Sequence, residues 1–246
     1  MTGYTIYVGK KVNLSNLKNI IQNYREEHSS IIDGEKEKWT DKIDIVSNDS
    51  NHWTFIHEFK TEEEIKQDED ESEENEEPQK YLRKHVIHAV VWNEDKYSVF
   101  LVSKKEKSST TVKICMNEFN KKYPDSKFSP KLAEYSDGKV KEFLERRYQV
   151  KRIYTTDIND RITSLSFGGD IMTFSTGQPD VSLDYEHYME SAVKSALYED
   201  SDTRLENDVW FSTDKSSVTS KKAKYLDLEG YIKDNILKLI IQPFSV

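Results

Sequence analysis

The chain has few of the residues that crosslink or punctuate a fold. Among 246 residues there are one cysteine, eight glycines and five prolines. A single cysteine, Cys115, excludes an intramolecular disulfide and any zinc site built on several thiolates. It also points to a reducing compartment. Scarce glycine leaves no dinucleotide-binding or phosphate-loop pattern. The only glycine pair, Gly168-Gly169, separates two strand-like runs and reads as a turn. No run approaches the roughly 18 apolar residues of a membrane-spanning helix, and the first ten residues hold no apolar leader core. The expectation is a soluble, cytoplasmic protein with no membrane association.

What is present is polar but not disordered in character. Apolar residues make up 35% and charged residues 33%, yet aromatics reach 11%. Chains that never fold lack aromatics, so a packed body with a very polar surface or segment is expected.

The charge is concentrated. The chain has 36 Lys and Arg against 45 Asp and Glu, a formal net charge of −9. Residues 61–80 read TEEEIKQDEDESEENEEPQK, with 11 acidic residues and two lysines, so this stretch alone carries −9. The other 226 residues hold 34 of each sign. With Ile65 as its one large apolar residue, the stretch cannot offset the entropy of being ordered in a core. A disordered acidic insert between two strands is expected. The division is then 1–60, an N-terminal α/β portion; 61–80, the insert; and 81–246, the main body, which is continuous with 1–60 if the insert interrupts one domain.

Periodicity supplies the elements. Tyr4–Val8, Lys42–Val46, Trp53–Lys60, His85–Trp92 and Tyr97–Ser103 read as strands, with turns at 47–51 and 93–95. Further strands are expected at Val150–Thr156, Ile162–Phe167, Ile171–Phe174, Val209–Ser212 and Ala223–Leu228. Helices are expected at Leu14–Glu27 behind an Asn13 cap, Thr110–Lys122, from Ser136 or Asp137 to Tyr148, Leu183–Tyr198 and Glu229–Ile241. Strands in neighbouring pairs favour an α+β fold: mostly antiparallel sheet built from hairpins, with four to five helices.

Four groups of residues carry candidate chemistry. Glu58-Phe59-Lys60 ends a strand, with Asp41, Asp44 and Asp49 upstream. An Asp on one strand and Glu-x-Lys on the next resembles restriction-type nucleases, in which carboxylates hold a divalent metal and the lysine positions water. Asp44, Glu58 and Lys60 are the candidates, although a turn near Asp49-Ser50 would set Glu58 against Asp41. His52 and His57, like His85 and His88, are separated by odd spacings, so neither pair can chelate one ion from a regular strand. Cys115 lies among apolar helix positions and reads as core. Arg146, Arg147, Tyr148, Lys151, Arg152 and Tyr154 gather cations and aromatics suited to nucleic acid.

These readings give an ordered set of expectations. The first is a non-catalytic interaction or adaptor subunit with a protein partner, favoured by tyrosine content and the acidic block. The second is a nucleic-acid-binding protein modulated by that block. The third is a metal-dependent nuclease. No cofactor and no resident metal are expected.

Overall fold

A computed structural model describes residues 1–32, 34–49, 51–65, 79–147, 149–155, 164–168, 171–175, 192–202, 205 and 208–241. The chain divides into two compact units, residues 10–129 and residues 1–9 with 130–246. Antiparallel sheet dominates both, with helices added, in keeping with the expected α+β class.

The 10–129 unit is a meander between two helices. Helix α1 spans Leu14–Ile21 and begins as expected, the Asn13 side chain accepting from the Asn16 amide. It ends six residues earlier than the expected Glu27. Residues 25–32 instead form β2, which pairs with β3 (Glu35–Asn48) from Arg25↔Lys42 to Ile32↔Glu35. Glu26 and Glu27 would oppose the negative end of a longer helix dipole. Between β2 and β3, Gly34 has φ +82°, a conformation that side chains resist. β4 (His52–Glu64), β5 (Lys80–Asn93) and β6 (Tyr97–Ser103) complete the order β2-β3-β4-β5-β6.

Helix α2 (Ser108–Lys122) closes this unit and turns Thr111, Val112, Cys115 and Phe119 inward. The core includes Ile43, Phe55, Phe59, Ile87, Phe100 and Phe128 beside Leu17 and Ile21. Burying each such side chain stabilises the unit by about 1.5–3 kcal/mol. Of the acidic stretch, Thr61–Glu64 belongs to β4 and Lys80 opens β5, while 66–78 lie outside the described residues.

The second unit contains β1 (Thr2–Lys10), β7 (Lys131–Leu132), α3 (Asp137–Glu145), β8 (Gln149–Thr155), β9 (Ser164–Gly168) and β10 (Ile171–Ser175). They are followed by β11 (Val193–Glu199), β12 (Asp208–Ser212), β13 (Ser217–Ser220) and α4 (Tyr225–Tyr231). The sheet order is β10-β9-β8-β11-β12-β13-β1, with β7 also against β1. Gly3 is required where β1 meets β13, because a Cβ there would lie 2.3 Å from Thr219 Cγ2. A π-helical turn, Ile232–Ile236, and a 3-10 turn, Leu237–Leu239, continue α4.

Two expectations are corrected here. Val193–Tyr198 is strand, not the end of a helix from Leu183; residues 183–191 lie outside the described residues. The segment VKSALYE pairs on both sides, with β8 and with β12. A strand covered by neighbours on each edge and largely buried on both faces loses the alternation that would reveal it. The stretch Ala223–Leu228 is not a strand: α4 begins at Tyr225, and the strand before it is Ser217–Ser220.

Candidate interaction ribbon and the neighbouring charged clusters

β4 and β5 outrun the rest of their sheet. The β3–β4 ladder ends at Lys42↔Glu58, and the β5–β6 ladder begins at Ala89↔Val102. The β4–β5 register continues unbroken to Glu64↔Lys80. Among the described residues, 59–64 and 80–85 therefore pair only with each other. They form a two-stranded ribbon with two open edges.

Side chains mark which backbone groups face outward. The His88 amide donates to Ser103 Oγ at 3.1 Å, the Val86 carbonyl accepts from Lys105 Nζ at 3.0 Å, and the Lys60 amide donates to Asp41 Oδ1 at 3.3 Å. Outward groups recur every second residue in an antiparallel pair. Leu82 and Lys84 on β5, and Glu62 and Glu64 on β4, thus present outward N–H and C=O groups. Toward the tip, Tyr81 is 40% and Ile65 46% exposed, and both line a shallow hollow with Glu63 and Glu64.

The ribbon is anchored by a stack of rings. Phe59 lies between His57 and His85, with centroid distances of 4.6 and 4.9 Å. The His85 Nε2 is 2.8 Å from Thr61 Oγ1, and His57 Nδ1 is 2.9 Å from Thr111 Oγ1. Burial pushes the His57 imidazole down to about 4. Histidines from two strands do share a face, but a phenyl ring separates them. Among the described residues no group of three or more His, Cys, Asp or Glu side chains is placed to hold a metal.

Asp44, Glu58 and Lys60 lie on one face of β3 and β4, and Lys42 separates the two carboxylates. The hairpin closes at Asn48↔Trp53 and a bulge lies between Ile45 and Ser47, and together they set Glu58 opposite Lys42, not Asp41. Asp44 holds Arg25 at 2.6 Å and Lys42 at 2.9 Å, while Glu58 holds Lys84 at 3.3 Å and Lys42 at 3.7 Å. The Lys42 hydrogen bond above all holds the Asp44 carboxyl below its usual range. Lys60 stands opposite Lys84. Cations thus occupy the ground between the two carboxylates.

The basic cluster is likewise compensated. Arg146 pairs with Glu142 one turn away, and Lys151 holds Glu199 and Asp208, each at 2.6 Å. Arg147 holds the buried Asp200 at 2.6 Å, and its guanidinium carbon lies 3.9 Å from the Phe143 ring centre. Asp200 also accepts from the Tyr231 hydroxyl at 2.7 Å, and that hydroxyl lies 2.8 Å from Tyr198. Arg152 and Tyr154 contribute backbone to β8, and Tyr148 lies outside the described residues. Cys115 is fully buried, and burial pushes its thiol up, away from the reactive thiolate. The His57–Thr111 and Arg147–Asp200 contacts span 54 and 53 residues, and nothing local in the sequence announces them.

Among the described residues no helix is long and apolar enough to cross a membrane. Compared with protein-family models, curated proteins and solved structures, the chain matches none of them.

Proposed function

We propose that this protein is a non-catalytic interaction or adaptor subunit, and that the β4–β5 ribbon is the element that engages a protein partner. The observation that carries this reading is the pair of open edges along 59–64 and 80–85. A strand edge with free N–H and C=O groups is a template for a partner's extended segment. The exposed Tyr81 ring adds apolar area with a hydroxyl, which suits a recognition surface. The adjoining acidic sequence adds charge that would steer a basic partner.

Proline at an outward position tests this directly. It removes one outward N–H and leaves the β4–β5 ladder bonds in place. In native co-purification, Leu82→Pro and Lys84→Pro are expected to lose partners that the wild type retains. Far-UV circular dichroism should show an unchanged fold. Equal partner recovery from all three proteins, or none from the wild type, would overturn the proposal.

A further inference from the structure

We infer that a groove within the 10–129 unit binds a phosphorylated small molecule of about nucleotide size. The groove measures about 570 Å³, and Lys10, Lys11, Asn16, Tyr123, Ser126 and Lys127 are among its lining residues. That volume lies within the roughly 300–1,000 Å³ of small-molecule sites.

Charge is the first reason. Arg25, Lys42, Arg83 and Lys84 of this unit each face a carboxylate, while Lys36, Lys38 and Lys113 make no ion pair among the described residues, so what sets the groove apart is that its lysines share one concavity. Lys10, Lys11 and Lys127 make no ion pair among the described residues. Lys11 reaches only a backbone carbonyl, that of Asp95, at 3.3 Å. One carboxylate, Asp125, lines the groove against these three ammonium groups. Uncompensated cations gathered in a concavity suit a ligand with more than one negative charge.

Rigidity is the second. The wall at Lys10–Asn13 is held by the Val12 amide donating to Ser98 Oγ at 3.2 Å and by Asn93 Nδ2 donating to the Val12 carbonyl at 3.0 Å. The wall at Tyr123–Lys127 is clamped by Asn120, which donates to the Phe128 carbonyl at 2.8 Å and accepts its amide at 2.7 Å. Both lysine-bearing walls are thus fixed before a ligand arrives, which lowers the entropy cost of binding.

The third reason is the ring. Tyr123 is half-buried against Phe119, with centroids 5.2 Å apart, and also lines the groove. An aromatic beside phosphate-binding lysines suits a planar base carrying phosphates.

Isothermal titration of the full chain with ATP, pyrophosphate and a ten-nucleotide single strand tests the proposal. ATP is expected to bind with a Kd of about 100 µM or tighter, and pyrophosphate more weakly. A Lys10→Gln, Lys127→Gln double variant should bind both at least about tenfold more weakly. Tyr123→Leu should weaken ATP and leave pyrophosphate unchanged, which separates ring contact from a folding defect. Binding weaker than about 1 mM, or equal affinity in the lysine variant, would overturn the site. An oligonucleotide that binds about tenfold tighter than ATP would replace the small-molecule reading with a single-strand one.

Discussion

The His57 ring and the Thr111 hydroxyl meet 2.9 Å apart, joining the middle of β4 to the first turn of α2. His57 is fully buried, and its other ring nitrogen, Nε2, has no partner among the described residues. The strand that carries the ribbon is therefore tied to the helix that covers it through a group able to titrate.

The pH dependence follows in sign and range. The folded His57 value of about 4 lies below the ordinary 6.5. Above 6.5 both folded and unfolded chains hold it neutral, and its contribution is constant. Between 6.5 and 4 the unfolded chain takes the proton and the folded chain does not, so stability falls as pH falls, by about 3 kcal/mol in all. His85 and His88 are also lowered by burial and act in the same direction. Asp41, raised chiefly by burial, acts oppositely just above its ordinary 3.8. Urea unfolding at pH 7.5 and pH 4.5 should show a smaller loss for His57→Phe than for the wild type. Identical losses would contradict the assignment.

Arg147 is expected to matter for stability rather than for ligand binding. Its partner Asp200 is 3% exposed, so removing the cation leaves a buried carboxylate short of compensation. It also strips the guanidinium from the face of the Phe143 ring. Arg147→Ala should cost about 3 kcal/mol in equilibrium unfolding. Arg146→Ala, whose pair is solvent-exposed, should change stability by less than about 0.5 kcal/mol. Similar costs for the two variants would refute this contrast.

Glu58 should be dispensable for any cleavage of DNA. Two lysines hold its carboxylate, and Lys42 stands between it and Asp44. Incubation of the wild type and Glu58→Ala with DNA and Mg²⁺ or Mn²⁺ is expected to give the same result. Metal-dependent cleavage by the wild type alone would restore the nuclease reading.

Local pattern was enough where one face of an element is wet, as in helix α2 and the inward Val140, Phe143 and Leu144 of α3. The strand at 97–103 is buried throughout and was legible instead as a short apolar run after a turn. The concentration of charge in 61–80 was equally plain, because it needs no partner to be counted.

Tertiary structure decided the rest. Val193–Glu199 carries apolar residues at both helical and strand spacings, and only ladders to β8 and β12 make it a strand. Arg25–Glu27 left the helix because β3 was there to pair with. The amino-acid order by itself settled composition, the seat of the charge and the amphipathic elements, since those depend on residues a few positions apart. Which carboxylate faces which cation was decided by the closure and bulge of the β3–β4 hairpin and, for Arg147 and Asp200, by a contact across 53 residues. In a pleated strand a one-residue shift moves every side chain to the other face, and no short stretch of sequence contains that information.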